Sequence, residues 1–278
     1  MIKNSNKLWT ELEVVDKLNI SNNAKLFALE INIYNPKDNF EISKNYFKSE
    51  NPSDLINIAQ KTDLDILDLK FNISEKIEIP KAVELLKELL PKISKPLMIS
   101  GTGKNDIDEA LLPELTKNLD RKNCIISFAT EQTYKQILPN VIQNEHYVVL
   151  KSPIDINLAK ELNILSIDFG LNENKIIMNT DIGGLGYGFE YGYSIMEKTN
   201  LEGLKGDKYL NMPTLSEAPI ESLRTKEAKS DSFSNSWGTL NDRANMIEIS
   251  AASSILAAGA NIIVMSNPDN ISVMKGML

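Results

Sequence analysis

The sequence predicts a (β/α)8 barrel of the TIM class within the α/β proteins, and three observations predict it. Eight short apolar runs recur along the chain, separated by polar turns and stretches of helical periodicity. Several of these runs are continuous rather than alternating, as parallel strands covered on both faces tend to be. The 278 residues show no linker, tandem repeat or low-complexity tail, and α/β barrels reach this length as one domain. A doubly wound open sheet is the runner-up.

The runs are Phe27 to Ile33, Leu64 to Asn72, Pro96 to Gly101, Cys124 to Thr130, Tyr147 to Pro153 and Lys175 to Asp181, then a weak one from Leu210 to Pro219, and Asn261 to Pro268. Between them, IPKAVELLKELLPKI sets Val83, Leu86, Leu89 and Leu90 on one face at the helical period. NDIDEALLPELTKNL opens with an Asn105/Asp106 cap and early acids. TEQTYKQILPNVIQ and DINLAKELNIL behave alike, and the Ala- and Ser-rich NMIEISAASSILAAGA suits a helix pressed closely on a sheet. After the eighth run only nine residues remain from Asn270, enough for a short eighth helix, so the seam between the first and last units is expected to be thinly covered. The expected organisation is a single domain over 1–278, with 1–26 as an N-terminal extension packing on the barrel.

Composition narrows the function. A chain this long buries roughly three quarters of its unfolded surface and needs no metal or disulfide to hold it together. The 30 basic and 38 acidic residues give a net charge of -8, which repels phosphate backbones, so nucleic acid is not the expected partner. The single cysteine, Cys124, cannot form an internal disulfide or, alone, hold an iron–sulfur cluster, and it suits a reducing compartment. No run reaches the roughly 18 apolar residues of a membrane span, so the expectation is a cytoplasmic protein.

In a barrel, sites gather where strands end. Those ends carry Ser100-Gly101-Thr102-Gly103, Thr130, Ser152 and Asp155, Asn179-Thr180-Asp181, Ser216-Glu217 and Ser266-Asn267. The rim reads as rich in hydroxyls and amides and poor in groups that titrate near neutrality, a place to hold a ligand rather than to move protons. After Asp181 stand Gly183, Gly184, Gly186, Gly188 and Gly192, five of the chain's thirteen glycines. Without Cβ atoms, their N–H groups can approach a large planar ligand or another chain; a tight turn with positive φ is the bland alternative. A dinucleotide fingerprint fails because Tyr191 or Phe189 stands where the third small residue belongs. Gly101-Thr102-Gly103-Lys104 fails as a phosphate loop, with Met98 and Asn105 at the required Gly and Ser/Thr positions. The only histidine, His146 in NEHYVV, lacks the Asp-x-His-x-x-Gly context of a cobalamin ligand and reads as a surface or strand-start residue.

TDIGGLGYGFEYGYSIMEKTNLEGLKGD, the following NMPT, SPIDINLAKELNIL and ISAASSILAAGANIIVMSNP together resemble the small (delta) subunit of the corrinoid iron–sulfur protein of the acetyl-CoA synthase/CO dehydrogenase system. The resemblance covers most of the chain from about residue 60. It implies a TIM barrel related to pterin-binding methyltransferases, paired as a heterodimer with a large subunit that carries the iron–sulfur cluster. It further implies a cobalamin-type corrinoid held between the large subunit and the barrel top, with no cluster in this chain. Methyl transfer would run from a methyltetrahydrofolate-type donor, through a separate methyltransferase, to acetyl-CoA synthase, both transient partners. The complex would be of the methyltransferase class and this subunit non-catalytic, with no lower axial ligand supplied to cobalt.

By resemblance the corrinoid face is Thr180 to Gly186, so Thr180, Gly183, Gly184 and Gly186 are candidate contacts, with Asn179 and Asp181 as polar groups beside them. Asp181 has a plainer reading as a cap of the next helix or of its own turn. Ser100, Gly101, Ser216 and Asn267 are secondary rim candidates, and Tyr187, Tyr191 and Tyr193 are packing residues. The family's members usually run longer at the C-terminus, and from Ser216 to Gly238 only Trp237-Gly238 matches. Three rivals stand beside this reading: a free-standing pterin-dependent methyltransferase using Asn179 or Asp181, a Schiff-base lyase on Lys151, and a purely structural partner subunit.

Overall fold

The computed structural model describes residues 25–181 and 189–278, together with the strands at 12–14 and 18–20. Eight parallel strands form one sheet: β1 (Leu26–Asn32), β2 (Ile66–Lys70), β3 (Leu97–Ser100), β4 (Ile125–Ala129), β5 (Tyr147–Lys151), β6 (Ile176–Asn179), β7 (Leu215–Ser216) and β8 (Ile262–Met265). Each strand pairs with the next from β1 to β6, β8 pairs with both β1 and β7, and a parallel bridge between Met178 and Thr214 links β6 to the approach of β7. The circle is thus nearly closed, as the eight apolar runs require. The weak seventh run corresponds to a strand of only two residues, which Met178 N–H supports by donating to the Pro213 carbonyl at 2.8 Å.

Two apolar layers follow from alternation along each strand. Ala28, Ile66, Met98, Val149, Ile177 and Val264 fill the barrel interior. Leu29, Leu67, Ile99, Leu150, Met178 and Met265 point outward and meet the helices. These helices are α1 (Glu41–Phe47), α2 (Pro52–Ala59), α3 (Ile79–Leu89), α4 (Asn105–Lys117), α5 (Tyr134–Gln143), α6 (Ile156–Asp168), α7 (Phe189–Leu204), α8 (Ala218–Ser222), α9 (Lys226–Lys229), α10 (Leu240–Ala257) and α11 (Pro268–Gly276). Leu86 and Leu89 of α3 are buried, as the periodicity predicts.

Two expectations change. The cap of α4 is not Asn105/Asp106: Lys104 occupies the N-cap and its side chain makes no cap bond. Instead, Asp108 reaches back to accept from the Thr102 N–H, the Thr102 hydroxyl and the Gly103 N–H. The seam is also better covered than its nine residues suggest. In α11, Ile271 and Met274 are buried, and Lys275 pairs with Asp65 at 2.7 Å and Asp63 at 3.3 Å. Beside it, α8 and α9 fold back so that Leu223 and Ala228 pack with Ile42 of α1 and Ala244 of α10. Of the two readings of His146, the strand-start one holds: it is buried just before β5, and its Nδ1 accepts the Cys124 N–H. Of the N-terminal extension, the described part is an antiparallel pair, Leu12–Val14 with Leu18–Ile20.

Candidate functional site: the mouth of the barrel

Above the apolar interior the same inward positions turn polar. Sheet register sets Glu30 beside Asp68, Lys70 beside Ser100, Ser100 beside Ser127, and Lys151 beside Asn179. Residues two apart on a strand share a face, so Glu30, Asp68, Lys70, Ser100, Lys151 and Asn179 converge at the C-terminal end, where Glu217 joins them from the end of β7.

Each of the two ammoniums there is paired with a carboxylate. Lys70 Nζ donates to Glu30 Oε2 at 2.8 Å, and Lys151 Nζ donates to Glu217 Oε2 at 2.6 Å. Asn179 Nδ2 donates to the same Glu217 oxygen at 2.9 Å, and the Ser100 hydroxyl donates to Asp68 Oδ1 at 2.6 Å. The ammonium of Lys151 also lies 4.1 Å from the centre of the Phe128 ring, a cation–π contact. Burial raises the Glu217 pKa, but Lys151 and Lys70 outweigh it and leave this carboxylate below its ordinary value. Burial likewise opposes the Lys70 ammonium, yet Glu30 and Glu217 reverse the sign and raise its pKa. Asp68 is driven well upward by burial and then by the charge of Glu30.

The end of β6 is tied to the end of β7. Asp181 N–H donates to Asn179 Oδ1 at 2.9 Å, while Asp181 Oδ2 accepts from the Glu217 N–H at 2.5 Å and the Ala218 N–H at 3.1 Å. Asp181 therefore anchors the turn after β7. Burial pushes its pKa up to about 6, against the Ser216 hydroxyl and the Glu217 N–H, which favour the ionised form. Asp181 Oδ1 and Thr180 Oγ1 are buried without a hydrogen-bond partner.

The rim candidates thus divide. Ser100, Asn179 and Asp181 come together in the mouth, with Ser216 backing the Ala218 N–H at 3.2 Å. Thr180 is buried, and it stands beside Ser152 at the ends of two neighbouring strands. Gly101 is packed against α4: a Cβ there would lie 2.5 Å from Asp108 Oδ1. Asn267 caps α11 through Asp269 N–H and binds Asn245, while its neighbour Ser266 donates to the buried Glu248 of α10. Gly183, Gly184, Gly186, Gly188 and Tyr187 lie outside the described residues. Gly192 is in α7, where Tyr191 is exposed and Tyr193 packs on the outer core.

The mouth carries more charge than the short polar groups of the strand ends announce. Glu30, Asp68, Lys70, Lys151 and Glu217 all stand in the mouth, and the sequence signal was charge at alternate positions inside apolar runs (Asp68 and Lys70 in LDLK). The Schiff-base rival also loses ground, because Lys151 is held as the partner of a carboxylate. The chain's one histidine lies at the start of β5, the opposite end of the barrel from the mouth. Among the described residues, no group of three or more His, Cys, Asp or Glu is arranged to hold a metal ion, and no helix is long and apolar enough to cross a membrane.

Comparison with known proteins places this geometry. In solved structures, dihydropteroate synthetase with a product superposes with a TM-score of 0.63 at 13% identity, covering 96% of this chain and 98% of that one. Dihydropteroate synthase from Xanthomonas albilineans in complex with 7,8-dihydropteroate gives 0.62 at 11% identity, covering 96% and 98%. At such identities the likeness shows the barrel fold alone. By sequence, subunit delta of the acetyl-CoA decarbonylase/synthase complex of Methanocaldococcus jannaschii is 30% identical over 202 residues, which is 72% of this chain and 49% of that protein. The Methanosarcina mazei delta subunit is 28% identical over 204 residues, 70% of this chain and 46% of that protein. The chain spans about half the length of the curated relatives it matches. The family model of the CO dehydrogenase/acetyl-CoA synthase delta subunit matches residues 19–277, nearly the whole barrel, and the chain belongs to that family.

Proposed function

We propose that this chain seats a cobalamin-type corrinoid between the mouth of its barrel and a cluster-bearing large subunit. There it serves methyl transfer from a methyltetrahydrofolate-type donor to acetyl-CoA synthase in the reductive acetyl-CoA pathway. When bound, the corrinoid supplies the cobalt nucleophile; the chain supplies placement and shielding. The observation that carries this reading is the pairing of the mouth's ammoniums: Lys70 is engaged by Glu30 and Lys151 by Glu217, which suits a surface that presents a ligand over one that uses a free lysine in chemistry.

The residues suit such a group. Donors and acceptors are mixed at the strand ends, and Thr180 Oγ1 and Asp181 Oδ1 are buried without partners. An imidazole ligand to cobalt from this chain is disfavoured by the place of His146 at the far end. In this reading Asn179 and Asp181 fix the root of the Thr180–Gly186 segment. Thr180, Gly183, Gly184 and Gly186 meet the macrocycle, and Ser100, Gly101, Ser216 and Asn267 contribute at the edges. The methyltransferase and acetyl-CoA synthase are transient partners.

Co-purification from native extract with the large subunit tests the assembly, read by the corrinoid absorption of the product. Gly184→Trp is expected to leave the heterodimer assembled while corrinoid is lost. Unchanged corrinoid content and methyl-transfer rate in that variant would reduce the chain to a purely structural partner. Micromolar binding of methyltetrahydrofolate to the chain alone would instead favour a free-standing pterin-dependent methyltransferase.

A further inference from the structure

The mouth carries two ammonium–carboxylate pairs whose hydrogen-bonding capacity is only partly used. An ammonium has three N–H donors, and a carboxylate about four acceptor positions. Lys70 Nζ spends one donor on Glu30, and Lys151 Nζ spends one on Glu217 while facing the Phe128 ring. The side chains keep a little exposure, 18% and 8% for Lys70 and Glu30, and 11% and 13% for Lys151 and Glu217. The two pairs also act on each other: Glu217 stabilises the Lys70 ammonium, and Lys70 stabilises the Glu217 carboxylate.

Such an arrangement selects against net charge. An anionic group would meet Glu30 and Glu217, and a cationic group would meet Lys70 and Lys151, each with a desolvation cost. A neutral group bearing a carbonyl and an N–H side by side meets neither objection. Its oxygen accepts from an ammonium, its N–H donates to the paired carboxylate, and the Phe128 ring offers an apolar wall.

We infer that the Lys70–Glu30 and Lys151–Glu217 pairs form a receptor for a neutral amide group, and, on the corrinoid reading above, that the group is a carboxamide arm of the macrocycle. The same chemistry exists in the lactam edge of a pterin, so the test carries both sources.

Equilibrium dialysis of the full chain is set up with three probes: dicyanocobinamide, whose arms are amides; dicyanocobyrinic acid, whose arms are carboxylates; and dihydropterin. The expected result is that cobinamide binds at least about tenfold more tightly than the acid, a modest preference for a site that must leave buried charges unpaired to admit the wrong ligand. The double variant Lys151→Met/Glu217→Gln removes one pair together, so no lone buried charge remains; checked for an unchanged circular dichroism spectrum and melting curve, it should lose most of that preference. Equal or tighter binding of the acid, undetectable cobinamide and dihydropterin binding, or a preference unchanged in the folded double variant overturns the receptor. Dihydropterin binding that depends on Lys151 and Glu217, with no cobinamide binding, keeps the amide receptor and overturns the corrinoid reading instead.

Discussion

Glu217, partly buried in the mouth, and Glu248, fully buried behind β8, are carboxylates of one barrel, yet they are driven in opposite directions. Glu217 faces the ammoniums of Lys151 and Lys70, which carry its pKa below the ordinary value. Glu248 faces only neutral donors: Ser266 N–H at 2.6 Å, the Ser266 hydroxyl at 2.9 Å and Asn270 Nδ2 at 2.6 Å. Burial dominates there and pushes it up to about 7. Hydrogen bonds alone satisfy the geometry of a carboxylate; a nearby cation is what keeps it charged out of water. The surroundings of Glu217 thus hold charge, and those of Glu248 hold shape.

The sharpest way to break that difference is Lys151→Met, which turns Glu217 into a carboxylate bonded by Asn179 alone. We expect a loss of about 3–5 kcal/mol in urea unfolding, the usual cost of stranding one member of a buried pair. Adding Glu217→Gln should restore most of it.

The next effect is pH dependence, with opposite signs for the two carboxylates. Glu248 has its folded pKa raised from 4.5 to about 7, so the native state binds the extra proton. Its contribution is full below the unfolded value and is lost as pH rises through the folded one, roughly 3 kcal/mol in all. Asp181, raised from 3.8 to about 6, acts in the same direction. Glu217, whose pKa is lowered, contributes above its unfolded value and loses that contribution as pH falls through the folded one. Unfolding free energies measured between pH 4.5 and 7 should therefore fall less steeply in Glu248→Gln than in the parent chain. An identical slope would remove Glu248 as its source.

The smallest expected change comes from Ser266→Ala, which deletes one neutral donor to Glu248. About 1 kcal/mol of stability should go, with the pH-dependent window displaced upward, because the carboxylate loses a bond that favours its charged form.

How much of this could be read from the chain follows the range of the interactions. The eight runs mark the strands because a strand buried on both faces must be apolar along its length. The weak seventh run matches the two-residue β7, and the nine last residues match α11. The mouth was legible in its short polar side chains and in Lys151, Asp181 and Glu217 taken singly. Its ion pairs were not, because each partner comes from another strand: Glu30 and Lys70 are 40 residues apart, and Lys151 and Glu217 are 66 apart. Only register brings them together. The cap of α4 escaped for a related reason, since Asn105 and Asp106 offer a plausible local cap while Asp108, folding back on Thr102 and Gly103, makes the bonds.

The most direct measurement is a cobalt-edge anomalous difference map from crystals of this chain assembled with the proposed large subunit and corrinoid. The account predicts a single strong peak above the C-terminal ends of the strands, on the side of Lys151 and Phe128. A peak over the opposite end of the barrel, or one buried within the large subunit away from this mouth, would contradict it.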